Sequence, residues 1–151
     1  MKVYLDVCCL NRPFDDLSQA RVAMEAAAIT YLLELIDASR LTDYSSEMAW
    51  VEVERMPDGD RRRKVSLLLP PNARIMPLSD DLLDLAETIR EMGFDLADAV
   101  HLAAAQRLGV EAFVTVDDRV LKRAKRSASR LGVRVIDPMA LLEELNDAIE
   151  R

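Results

Sequence analysis

The sequence predicts an α/β fold built on a mostly parallel sheet covered on both faces. Three observations carry that reading. Short apolar strands alternate with helical segments of ten to twenty residues through the whole chain. Parallel neighbours need crossovers of about a dozen residues or more, and these helices supply them. The composition, 50% hydrophobic and 31% charged over 151 residues, supplies one full core, so residues 1–151 are expected to form a single domain.

Lys2 to Asp6 reads as a short buried strand, followed by a turn-rich stretch. From Ser18 to Ile36, residues Val22, Ile29, Leu33 and Ile36 fall at helical spacing. Leu41 to Tyr44 can form a second strand. A helix from about Ser46 to Arg55 must stop before Met56-Pro57, because the residue preceding proline avoids helical backbone angles. Asp58 to Leu69 is a further helical segment closed by Pro70-Pro71, and Ala73 to Leu78 a third strand. Ser79 is placed to cap a helix reaching Met92, with Asp80 and Asp81 complementing its first turn. After Gly93 a new helix spans Leu96 to Leu108, and Gly109 is placed to end it in the left-handed conformation. Ala112 to Val116 is the clearest strand. Asp117 to Leu131 reads as a cationic helix closed by Gly132, Val133 to Ile136 as a fifth strand, and Met139 to Ile149 as a last helix started by Pro138.

Composition narrows the function. No apolar run approaches the roughly 18 residues of a membrane span, and the acid at Asp6 interrupts any signal-like start, so a cytoplasmic protein with no membrane association is expected. The only cysteines, Cys8 and Cys9, are adjacent; they suit a reducing compartment and read as small packing residues beside the strand end. The net charge of −7 has the wrong sign for bulk attraction to nucleic acid. Its distribution changes the picture: residues 117–134 carry seven basic side chains against two acidic ones, a local +5 that leaves −12 for the rest. With four glycines, Gly59, Gly93, Gly109 and Gly132, neither a dinucleotide-binding loop nor a P-loop can be written. A phospho-acceptor receiver domain would want an acidic pair after the first strand and a lysine ending the fifth, and the chain has neither.

In parallel α/β sheets the ligand cleft lies outside the carboxyl ends of the strands. Asp6 closes the first strand there and Asp117-Asp118 follow the fourth. Glu52 and Glu54 lie on the helix after the second, while Asp95 and Asp98 open the helix before the fourth. Singly, each is as well explained as a turn former or cap. Together they would repel one another and raise each other's pKa unless a cation neutralised them, which points to a divalent metal site. Oxygen donors without a histidine or thiolate cluster select Mg²⁺ or Mn²⁺, ions that can activate water for attack on a phosphodiester.

In order and spacing, Val3-Tyr4-Leu5-Asp6, Ser46-Glu47-Met48-Ala49-Trp50-Val51-Glu52, Asp98-Ala99-Val100-His101-Leu102-Ala103 and Phe113-Val114-Thr115-Val116-Asp117-Asp118 resemble the four acidic motifs of the PIN-domain family. The resemblance implies a three-layer α/β/α sandwich and a Mg²⁺- or Mn²⁺-dependent endoribonuclease holding one or two ions. By position, Asp6, Glu52, Asp98 and Asp117 correspond to the family's catalytic, metal-binding acids. The resemblance also implies an RNA substrate, homodimerisation and, as in VapC-type toxins, a small antitoxin partner. The chain departs from the toxin pattern after Asp6, where Val7, Cys8, Cys9 and Leu10 precede the first small amide, Asn11.

Secondary site candidates are Glu54, which competes with Glu52, and Asp118, Asp95 and Asn11. For Asp118 the structural alternative is a cap on the cationic helix; for Asn11 it is a turn closed on its own backbone. His101, the single histidine, reads first as a packed side chain and second as a bridge to Asp98 or to a phosphate. Trp50 reads as core or dimer surface, and Val22, Ile29 and Leu33 as either core or dimer contact. Arg12, Arg61, Arg62, Arg119, Lys122 and Arg123 are the candidate RNA contacts. A non-catalytic PIN-like module binding RNA or protein is the alternative function.

Overall fold

The computed structural model describes residues 1–150, the last of these without its side chain. Five strands, β1 (Lys2–Leu5), β2 (Thr42–Ser46), β3 (Ile75–Met76), β4 (Ala112–Val114) and β5 (Val135–Ile136), form one sheet in the order β3-β2-β1-β4-β5. Every pairing is parallel. The chain steps outward from β1 to β3, then returns to place β4 on the other side of β1. That reversal opens a crevice between the carboxyl ends of β1 and β4, where connections leave toward opposite faces.

Period-two alternation divides the core. Tyr4 and Phe113 face one side, stacked with ring centroids 5.2 Å apart. They pack against α5 (Asp80–Arg90), α6 (Leu96–Leu108) and α7 (Asp118–Arg126) through Leu82, Ile89, Leu102 and Val120. Val3, Leu5, Ala112 and Val114 face the other side. There they meet α1 (Val7–Asn11), α2 (Ala20–Asp37), α3 (Glu47–Glu54), α4 (Gly59–Ser66) and α8 (Pro138–Glu150) through Leu10, Ile29, Ala49, Val65 and Leu141. Helices therefore cover both faces, as the three-layer expectation requires.

Local signals mark most boundaries. Ser79 Oγ accepts from the Leu82 amide at 3.1 Å, capping α5. Gly109 ends α6 with φ at 67°, and Pro138 stands at the start of α8. Two expectations are corrected, and a third is narrowed. The stretch after β1, read as turn, forms α1 and a 3-10 turn at Arg12–Phe14, because Val7, Cys9 and Leu10 bury against the second core. The cationic helix ends at Arg126 rather than Leu131; buried Ser127 and Leu131 turn the chain inward toward β5, and Gly132 lies beyond that turn. Ile29 is fully buried, with Val22 and Leu33 half-buried, so this stripe is spent largely on the core. Among the described residues no helix is long and apolar enough to cross a membrane.

Candidate active site

Asp6 stands on the crevice floor. Its amide donates to Val114 O at 2.9 Å, extending the β1–β4 pairing by one residue and fixing where its side chain emerges. The side chain is 6% exposed. Thr115 Oγ1 donates to Asp6 Oδ2 at 2.7 Å, and Cys8 Sγ lies 3.3 Å from the same oxygen. Burial raises the Asp6 pKa and the nearby Glu52 carboxylate adds to the rise, while His101, Thr115 and Cys8 oppose it.

Asp98 sits in the first turn of α6, where Asp95 acts as cap and its Oδ1 accepts from the Asp98 amide at 2.9 Å. Partial burial and the carboxylates of Asp95, Asp6 and Asp117 push the Asp98 pKa up to about 7, against the pull of His101. Like charges therefore converge here from β1, α6 and the end of β4, as the sequence argument requires. Neither Asp6 nor Asp98 has a cationic ion-pair partner within 4.0 Å among the described arginines and lysines.

Glu52 reaches the same region from α3. Its Oε1 is hydrogen-bonded to His101 Nε2. His101 is fully buried, and its Nδ1 lies 2.6 Å from the Tyr4 hydroxyl, which in turn lies 2.8 Å from Ser46 Oγ. Burial favours the neutral imidazole, but the Tyr4 oxygen, the Glu52 carboxylate and Asp6 outweigh it and raise the His101 pKa well above its ordinary value. The histidine is thus packed, as first read, yet bridges to Glu52 rather than to Asp98. Glu54, two residues on, is exposed and turned away from this chain of contacts.

Asp117 and Asp118 divide their tasks differently from the expectation. Asp117, not Asp118, caps α7: its Oδ1 accepts from the amides of Arg119 and Val120 at 2.9 and 3.4 Å. Asp118 is exposed and accepts two bonds from Arg21, at 2.5 and 3.0 Å. Asn11 donates from Nδ2 to Val7 O at 3.2 Å, the local backbone bond foreseen as its structural role. Arg12 pairs with Asp15 at 3.0 Å. Arg61 donates to Asp15 and to Phe14 O, both at 2.6 Å, and Arg62 to Met56 O at 2.8 Å, so these guanidinium groups tie the fold together.

The remaining basic candidates line a cleft on the Asp98 side of the site. This cleft of about 350 Å³ runs beside Asp95 and Asp98 and is walled by Arg119, Lys122, Arg123 and Arg126 of α7. Val120 and Ala124 of that helix are buried, which turns its cations outward over the acids. Gly93 keeps Arg123 in place: φ is 105°, and a Cβ there would lie 2.9 Å from the guanidinium carbon.

Thr115, Tyr4 and Ser46 are site neighbours that the sequence does not single out, and Cys8, expected as a packing residue beside the strand end, lies against Asp6. Thr115 carried a signal, a polar residue at the end of an apolar strand two positions before Asp117. Tyr4 and Ser46 became visible only through the fold. Among the described residues no three His, Cys, Asp or Glu side chains close into a ready metal cage. The oxygen-rich set around Asp6 and Asp98 fits a hard cation nonetheless, since Mg²⁺ is typically held by one or two carboxylates and several waters. The absence of an arginine or lysine partner within 4.0 Å of Asp6 or Asp98 among the described residues favours one.

The chain is similar to known proteins. The family model for the PIN domain matches residues 3–127. Ribonuclease VapC46 of Mycobacterium tuberculosis is 36% identical over 98 residues, spanning 62% of this chain and 72% of that protein. A chain in the crystal structure of VapBC2 from Rickettsia felis bound to a DNA fragment from their promoter superposes with a TM-score of 0.58 at 13% identity, over 91% of this chain and 98% of that one. At that identity the superposition speaks for the fold. With all four acidic motifs inside the matched span and the acids they carry gathered around one crevice, the chain belongs to the PIN domain family.

Proposed function

We propose that the chain is a Mg²⁺- or Mn²⁺-dependent endoribonuclease, the toxin of a toxin–antitoxin pair, with Asp6, Glu52, Asp98 and Asp117 as its metal-binding acids. The observation that carries this reading is the convergence of carboxylates on Asp98 beside a cleft walled by the cations of α7. Acids without an arginine or lysine partner suit a divalent ion, and the adjacent cations suit a phosphate backbone. The ribonuclease relative supports RNA as substrate, and the VapBC2 complex supports an antitoxin as partner.

When bound, the ion supplies Lewis-acid neutralisation of the phosphate and lowers the pKa of a water that attacks phosphorus. The chain's own residues do the rest. Asp6 is held rigidly through Thr115 and its own amide, and Glu52 is aimed by His101. Arg119, Lys122 and Arg123 draw the RNA backbone against the acids and offset their repulsion of it.

The test is cleavage of end-labelled single-stranded and hairpin RNAs by the purified chain. Cleavage is expected with millimolar Mn²⁺ or Mg²⁺, and none with chelator or with Asp6→Asn. Cleavage that survives both treatments would overturn the metal reading. RNA binding that ignores metal and survives substitution of all four acids, with no cleavage, would establish a non-catalytic RNA-binding module instead.

A further inference from the structure

We propose that Arg21, seated beside Arg12 on the buried carboxylate of Glu25, forms a second phosphate subsite for the RNA strand, and that Asp118 fills this subsite in the free protein. The proposal rests on the ribonuclease reading and extends it from the α7 cations to the place where α2 meets the first turn of α7.

Glu25 lies on α2 and is 2% exposed. Its Oε1 is 3.3 Å from Arg12 Nε and its Oε2 is 3.6 Å from Arg21 Nε. A buried carboxylate facing two guanidinium groups cannot release both without being left uncompensated, so it anchors them by their inner edges. Arg12 Nε is itself buried and makes no well-directed hydrogen bond despite that proximity, so the pairing with Glu25 is electrostatic rather than directional. Arg12 and Arg61 share Asp15, which fixes Arg12 from a second direction.

Arg21 differs from Arg12 at its outer edge. Its two terminal nitrogens point to solvent and hold the Asp118 carboxylate as a fork, at 2.5 and 3.0 Å. Both side chains of that pair are more than half exposed, at 59% and 52%. An ion pair so exposed contributes little net stability and opens readily. The fork that accepts a planar carboxylate also accepts two oxygens of a phosphodiester, for which arginine is better shaped than lysine. Asp118 directly follows Asp117 in the chain, so the seat adjoins the acids. A strand lying along α7 would then meet this seat at the helix start beside the α7 cations, with Asp118 giving way to the entering phosphate.

The experiment measures anisotropy of a 5′-fluorescein-labelled 12-nucleotide single-stranded RNA, with chelator present to prevent turnover, across a salt series. Arg21→Ala should bind roughly tenfold more weakly. Its log Kd against log salt slope should fall by about 0.7, one single-strand phosphate contact. Asp118→Asn should bind more tightly than wild type, and that gain should vanish in the Arg21→Ala background. Asp118 is exposed, so its variant keeps the test decisive even if Arg21→Ala folds poorly. If wild type binds and cleaves RNA while both variants match it in affinity and slope, the Arg21–Asp118 pair is only a tie between α2 and α7 and the inference fails alone. If wild type neither binds nor cleaves RNA, the ribonuclease reading falls and takes this subsite with it.

Discussion

Asp98 is the residue whose ionisation reports most directly on the site. Its carboxyl sits at about 7 against an ordinary value of 3.8. Without metal, between those two values, the folded chain keeps a proton that the unfolded chain has released. The stability tied to this residue is therefore full below its unfolded pKa and is lost as pH rises through 7. Asp6 and His101 are also raised and act with the same sign, the histidine in a window that begins at its ordinary 6.5. In chelator, Asp98→Asn should lose less stability than wild type between pH 5 and 8 and be the more stable of the two at pH 8, by on the order of 1–2 kcal/mol after solvent screening. Thermal unfolding at several pH values measures this, and parallel pH profiles for the two proteins would show that the carboxyl is not held in a repulsive cluster. His101 makes a contrasting case. His101→Ala removes a fully buried side chain bonded to Tyr4 and Glu52, so a loss of about 2–4 kcal/mol in urea unfolding is expected, with RNA cleavage reduced as Glu52 loses its aim.

At the scale of elements, α7 and the turn before α6 work as one unit. The helix buries Val120 and Ala124 and presents its cations along the cleft, while Gly93 leaves room for Arg123 to lie against the backbone. Gly93→Ala would force a side chain into a left-handed conformation and place its Cβ 2.9 Å from the guanidinium. A cost of about 1–2 kcal/mol is expected, together with weaker RNA binding as Arg123 is displaced. Arg123→Ala should reproduce the binding loss without the stability loss, and comparing the two variants by thermal unfolding and anisotropy separates backbone strain from lost charge.

For the whole molecule, the strand order β3-β2-β1-β4-β5 is what turns scattered acids into a site. The β1–β4 junction is the one place where crossovers diverge, and Asp6 and Thr115 leave it side by side. A divalent ion that binds only the folded state should stabilise it by about 2.7 kcal/mol at a hundred times its Kd. Mn²⁺ is accordingly expected to raise the unfolding midpoint of wild type but not of Asp6→Asn, and more at pH 8 than at pH 6, because the ion requires ionised Asp98. An equal shift in both proteins would place the ion elsewhere. With a net charge of −7, the RNA affinity proposed here requires the local cations and is expected to fall steeply with salt.

The order and type of the elements outside residues 7–14 and the parallel sheet are legible in the amino-acid sequence, as are the motifs that carry the family resemblance. So are the Ser79 and Gly109 caps. Each rests on periodicity, turn chemistry or spacing over a few residues, and such local preferences survive without knowledge of the fold. What the tertiary structure decided is which polar atoms meet. Thr115 and Asp6 are 109 residues apart, and His101 and Glu52 are 49 apart; no local pattern pairs them. Motif spacing favours Glu52 over Glu54, and the fold adds that Glu52 meets the buried His101 while Glu54 is exposed. Asp117 and Asp118 are neighbours with opposite employments because α7 needs one cap and Arg21, 97 residues away from Asp118, claims the other carboxylate. Residues 7–14 hid α1 for the same reason: a helix of five residues has too little intrinsic stability to announce itself, and it forms because Val7, Cys9 and Leu10 find a core built by distant parts of the chain.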